Sequence, residues 1–220
     1  MNYPSLKDEF VSLYKTKELT DCNNRFVEDG VINPALFAQQ KIRVLFIAKE
    51  HNDLDPTTAD ETYTPDYSVW WNHHIHLQFS HRVSEWAYGI INDFPDYSGI
   101  EEGNKKHEAL KSIAFINVKK VSGGAAADPI LISKYIEYGR ELLHRQIAEI
   151  APTIIVCCFR DNWYVEHLFG FGPMKSTVDK LGVGIWNNIN VVNFYHPSSR
   201  KSKHGLYSQL KEVIALVKAQ

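Results

Sequence analysis

Four short apolar runs punctuate the chain, and amphipathic stretches separate them. Val44 to Ala48, Ile113 to Val118, Thr153 to Phe159 and Val191 to Tyr195 are almost continuously apolar. Runs of that length, rich in β-branched residues, predict strands covered on both faces. Elsewhere apolar residues recur at helical spacing. Leu6, Phe10, Leu13 and Tyr14 predict a helix over 5–17, with Pro4-Ser5 as its start signal. Pro34 and the following ALFAQQ predict a second short helix inside the mixed stretch 18–40. Val83, Trp86, Ala87, Ile90 and Ile91 predict a third, stopped by Asp93 to Gly99. Asp128-Pro129 reads as an N-cap followed by an N1 proline. A long helix follows with Ile132, Tyr135, Ile136, Leu142, Leu143, Ile147 and Ile150 on one face, ended by Pro152. A short helix around Trp163 to Leu168 leads into a Gly-rich connection, and Leu206, Leu210, Val213, Ile214 and Val217 mark a closing helix.

Strands that alternate with helices imply an α/β fold, a three-layer α/β/α arrangement around a four-stranded parallel sheet. Residues 1–220 are expected to form a single domain, with 1–40 as an N-terminal helical segment and 51–78 as a long loop insert. The insert holds Pro56, Pro65, Trp70, Trp71 and the histidines His73, His74 and His76. A loop that long in a compact domain is functional or mobile, and this one is expected to wall or cover a site. Its acidic residues Asp53, Asp55, Asp60 and Glu61 lack the glycine of a calcium loop. Its histidines lack HExxH spacing, so no metal is expected.

Composition narrows the picture further. The 220 residues are 44% hydrophobic and 23% charged, as in a globular chain. A net charge of −2 gives no global attraction to nucleic acid, so any such binding needs a local patch. Cys22 is distant from the adjacent Cys157 and Cys158, so neither a disulfide framework nor a cysteine metal site is indicated. The two adjacent thiols are expected to be buried in the third strand. The N-terminus MNYPSLKDEF has no apolar core, and no run reaches membrane length. A cytoplasmic setting without a membrane partner is therefore expected. No P-loop and no GxGxxG occurs, and no cofactor is expected.

Ligands of an α/β sheet bind beyond the carboxyl ends of its strands. Lys49, Glu50, His51 and Asn52 follow the first strand, Asn117 ends the second, Phe159 and Arg160 follow the third, and His196 to Arg200 follow the fourth. The last is the most distinctive stretch. VVNFYHPSSRKSKHG breaks at His196-Pro197, where proline forces a turn, and continues as a basic loop. A carboxylate, an amide and an imidazole on one rim can orient water, read the edge of a heterocycle and hydrogen-bond an anionic leaving group. No GxSxG or other nucleophile–base pair stands out.

IAKEHN after strand one, FINVKK after strand two, LLHRQIAEIAPTIIVCCF, and NFYHPSSR after strand four together resemble the uracil-DNA glycosylase superfamily, over roughly residues 41–218. The resemblance implies a glycosylase that hydrolyses the N-glycosidic bond of uracil or a related base in DNA. By the same resemblance Glu50 and His196 are the catalytic pair, one directing water and one stabilising the departing base. Asn117 reads the base edge, with His51 beside it and a stacking aromatic for which Phe79, Trp70, Trp71 and Tyr67 are candidates. Ser198, Ser199, Arg200, Lys201 and Lys203 hold DNA, with Arg200 where the family inserts a wedge. The chain departs from the pattern at its first motif: Lys49 and His51 stand where glycine and proline are usual, and Glu50 where Asp or Asn is commoner. Three cysteines are too few for the iron–sulfur branch. The alternative expectation is a protein of this fold that excises nothing and binds a nucleobase, nucleotide or other small ligand at the same rim.

Overall fold

A computed structural model of the chain describes residues 4–52, 66–73, 75, 77–124 and 126–218. The fold is mixed α/β. In chain order the elements are α1 (Leu6–Thr16), β1 (Gly30–Val31), α2 (Pro34–Ala38), β2 (Val44–Ala48), α3 (Tyr67–His73), α4 (Gln78–Ile91), α5 (Lys105–Lys111), β3 (Ala114–Asn117), α6 (Pro129–Ile150), β4 (Ile154–Cys157), α7 (Asn162–Phe169), β5 (Lys175–Ser176), β6 (Gly182–Trp186), β7 (Ile189–Asn193) and α8 (Lys203–Lys218).

The helix ends follow local chemistry. Ser5 and Asp8 form a capping box at α1. Asn33 caps α2, and Asp128 caps α6 ahead of Pro129. Among the described residues no helix is long and apolar enough to cross a membrane.

The sheet corrects the expectation of four parallel strands. It has seven, in the order β1-β3-β2-β4-β7-β6-β5. The four apolar runs supply the adjacent parallel strands β3, β2, β4 and β7. Antiparallel β1 extends one side, and antiparallel β6 and β5 extend the other. The Gly-rich connection after α7 is thus largely a hairpin. Trp186 pairs with Ile189, and Asn187 and Asn188 between them both have positive φ, 48° and 64°. That is a primed two-residue turn, whose twist suits paired strands and which asparagine tolerates. Gly182 and Gly184 mask the alternation of β6. At Gly182 a Cβ would lie 2.6 Å from Asn162 Oδ1, so the side chain is absent where α7 comes close.

Side chains alternate across the central strands. Val44, Phe46 and Ala48 of β2 join one buried cluster with Trp86 and Ile90 of α4 and Leu210 and Val213 of α8. Leu45 and Ile47 join the other, with Phe10 of α1 and Ile132, Ile136 and Ile147 of α6. Helices therefore cover both faces. Cys157 and Cys158 are buried thiols at and just after the end of β4, one facing each cluster.

The insert 51–78 is not all loop. Tyr67 to Trp71 is an i,i+4 aromatic pair, and its burial against Phe115 makes that segment a helix. Residues 53–65, His74 and His76 lie outside the described residues, as do the side chains of Trp70 and His73, so the histidine cluster and most of the expected lid fall there, while Trp71 is a buried core residue. Two further elements came without a sequence signal. β1 is held by a neighbour, Ile32 N–H donating to Ile113 O at 3.1 Å, and α5 buries only Ala109 and Leu110.

The turn generates a stability prediction. Asn188→Val puts a β-branched residue at positive φ and should cost about 1–2 kcal/mol. Asn188→Gly should leave stability unchanged. Urea unfolding of both variants checks this.

Candidate functional site

Pairing continues past the strand ends and draws the loops there together. Val118 N–H donates to Ala48 O, Lys119 N–H to Lys49 O, and Gly123 N–H to His51 O, at 3.0, 3.0 and 2.8 Å. Cys158 N–H reaches Ile47 O, and Arg160 N–H reaches Phe194 O. The loops after β2, β3, β4 and β7 thus form one rim. Beside the end of β4 it opens as a depression lined by Phe159, Arg160, Asp161, Asn162 and Lys180.

Asn117 ends β3 and is 1% exposed. Its backbone N–H donates to Asp29 Oδ2 at 2.8 Å, and its Nδ2 donates to the Tyr67 hydroxyl at 3.1 Å. His51 Nδ1 lies 3.0 Å from the same hydroxyl. Asn117 Oδ1 is buried with no hydrogen-bond partner. A buried acceptor left so costs about 1–3 kcal/mol.

Tyr67 and Trp71 are core residues, stacked at 4.9 Å. Half-buried Phe79 packs on Phe115 at 5.6 Å and on the His196 ring at 5.4 Å. Among the candidates whose side chains are described, it is the one whose ring lies against His196.

His196 stands in a tight turn closed by Ser199 N–H donating to His196 O. Ser198 N–H donates to its Nδ1 at 3.2 Å. Nδ1 is thus an acceptor, and the neutral ring carries its proton on Nε2. Burial, and secondly the Lys49 ammonium, push the His196 pKa below its usual value. The site therefore holds an uncharged imidazole with an N–H to offer. Lys49 is half-buried over the Tyr164 ring at 4.7 Å. Burial lowers its pKa, opposed by Asp161 and Glu50.

Glu50 is not an isolated carboxylate. Lys119 Nζ donates to Glu50 Oε2 at 2.5 Å and also pairs with Asp21. The Lys119 side chain is 2% exposed and that of Glu50 7%. A Cβ at position 123 would lie 2.0 Å from Glu50 Oε2, so only glycine lets the loop close over the carboxylate. A second buried pair stands behind: Lys120 to Asp29 at 2.7 Å, with Gln146 Nε2 on the same Asp29 oxygen.

The basic loop is partly neutralised. Lys201 pairs with Asp179 at 2.6 Å and donates to the Tyr195 hydroxyl at 2.7 Å. Lys203 pairs with Glu101 at 3.2 Å. Ser198 and Arg200 are exposed. Ser199 O accepts from Gln78, and Lys201 O from the buried Arg82.

The geometry brings Asn117, His51 and Tyr67 into one chain and Phe79 against His196, and it ties Glu50 to Lys119. Sequence reasoning missed Lys119, Asp21 and Asp29 as partners. Asp21 and Asp29 lie in an irregular stretch where no periodicity flags them, whereas the Tyr67–Trp71 spacing was a legible helical signal. The chain matches no protein-family model and no curated protein.

Lys119→Met leaves Glu50 and Asp21 facing each other without a cation and should cost about 3–5 kcal/mol, read by urea unfolding. His196 should titrate below 6.5, read by NMR. Because its folded pKa is depressed, the unfolded chain takes the proton first. Its contribution to stability is present above about pH 6.5 and is lost as pH falls below it.

Proposed function

We propose that this chain is a glycosylase of the uracil-DNA glycosylase type, acting on uracil or a related damaged base flipped out of DNA. The observation that carries the reading is His196. A neutral imidazole with its proton on Nε2 sits at the rim against Phe79, a ring on which a base can stack. When the C1′–N bond breaks, the electron pair leaves with the base, and the Nε2–H would stabilise that anion. Water then bonds to C1′ and passes its proton to Glu50, which hands it on through solvent to the departed base anion. Glu50 Oε2 is held by Lys119, so Oε1 would orient that water and face the positive sugar. Asn117 would read the base edge, with His51 supporting it. The adjacent parallel strands β3, β2, β4 and β7, with the insert following β2, support the same family of folds.

Arg200, with Ser198, Ser199, Lys201 and Lys203, would hold DNA phosphates. Lys201 and Lys203 must give up Asp179 and Glu101 to do so. That exchange, and a net charge of −2, favour a second reading in which the rim binds a nucleobase or nucleotide without excising it.

Single-turnover assays on oligonucleotides carrying uracil, hypoxanthine, xanthine or a thymine mismatch test the enzyme reading. His196→Ala should slow release by ~10²–10³-fold and leave DNA affinity nearly unchanged, since the lost interaction belongs to the transition state. Arg200→Ala should weaken binding and reduce its salt slope by about one. Excision of no base by the parent protein would sink the enzyme reading and leave the binding one.

A further inference from the structure

The Asn117 amide is held from behind. Its Nδ2 can only donate, so the 3.1 Å bond makes the Tyr67 oxygen an acceptor and turns Oδ1 away from Tyr67. Tyr67 is 4% exposed. Its ring is stacked on Trp71 and stands edge-on to Phe115, with centroids 4.9 and 5.2 Å apart. On the other side His51, 8% exposed, places Nδ1 3.0 Å from the hydroxyl. With its single proton given to His51 Nδ1, the hydroxyl oxygen can only accept, so an amide turned over would set the Oδ1 lone pairs against it. Oδ1 is left buried and unpaired, an arrangement that a ligand donor would relieve.

We propose that Tyr67, backed by His51, is a positioning residue that locks the Asn117 amide with Oδ1 as the atom offered to the ligand. The inference rests on the reading above, that the rim receives a nucleobase. It specifies the class: heterocycles that present a ring N–H at that point, such as the N3–H of uracil or the N1–H of hypoxanthine. A bare ring nitrogen, as in 2-pyrimidinone, would set its lone pair against Oδ1. An amide able to turn over would meet that nitrogen with Nδ2. Tyr67 prevents the turn, so the hydroxyl behind the amide decides which edge is accepted.

Tyr67→Phe tests this, because it keeps the ring and its packing and removes only the hydroxyl. In ligand-free protein, NMR should show one Asn117 Nδ2 proton that exchanges slowly with solvent, assigned by its loss in Asn117→Asp. It should exchange fast in Tyr67→Phe. The wild-type signal alone already decides: an Nδ2 proton exchanging as fast as that of a surface asparagine overturns the lock. The full chain should bind a uracil oligonucleotide at least tenfold more tightly than its 2-pyrimidinone analogue, and Tyr67→Phe should narrow that ratio by about tenfold. A ratio unchanged in the variant overturns the inference while leaving uracil recognition standing. Wild-type protein that binds neither oligonucleotide overturns the nucleobase reading and the ligand class with it, and the amide signal then judges the lock by itself.

Discussion

Two lysines cut off from water hold the rim in place. Lys119 and Lys120 are consecutive, and their side chains are 2% and 1% exposed. Each needs a carboxylate, because an unpaired buried charge costs several kcal/mol. Lys119 finds Glu50 after β2 and Asp21 from the N-terminal segment. Lys120 finds Asp29, which also accepts from the Asn117 backbone and from Gln146 of α6. These pairs fasten three separate parts of the chain to one point. Backbone pairing also holds residues 25–32 along the β3 edge: Val27 N–H reaches Lys120 O, and Ser122 N–H reaches Arg25 O.

On the opposite face the rim rests on aromatic packing. Phe115 of β3 touches Tyr67, Trp71 and Phe79. It therefore braces both the phenol behind Asn117 and the ring beside His196. The site draws its rigidity from two sources of different character, hydrogen-bonded charge on one side of the sheet and close-packed rings on the other. Replacing a ring there would leave a cavity, and replacing a charge would leave an orphaned partner, so neither side tolerates simple truncation.

The electrostatics of the exposed rim run differently. Lys201 and Lys203 are about half exposed and paired with Asp179 and Glu101, in a setting where salt screens such pairs and their net worth is small. The buried pairs shape the site, whereas the surface pairs moderate what it attracts. That contrast is why a run reading as Arg200-Lys201-Ser202-Lys203 carries less positive charge in the fold than along the sequence.

Much of the architecture was legible from local pattern. Val44 to Ala48 reads as a doubly covered strand because every position is apolar, and both faces are indeed occupied. Asp128-Pro129 marks the start of α6 because capping is decided by adjacent residues. His196-Pro197 marks a turn because proline constrains its neighbour. The placement of Asn117 at the end of β3 followed from these local signals, whereas β7 ends at Asn193 and His196 stands three residues beyond it. Asn187-Asn188 carried a hairpin signal as well, but the glycines of β6 hid the strand that would have made it readable. The remainder depended on distance in the sequence. Nothing near Glu50 announces Lys119, 69 residues away. Nothing near Asn117 announces Tyr67 or Asp29, 50 and 88 residues away. Which carboxylate is neutralised, which amide atom stays unpaired and which aromatic meets the histidine are all settled by contacts between separate elements. Local propensity acts over a few residues, while desolvation of a charge or an amide depends on everything the fold brings around it.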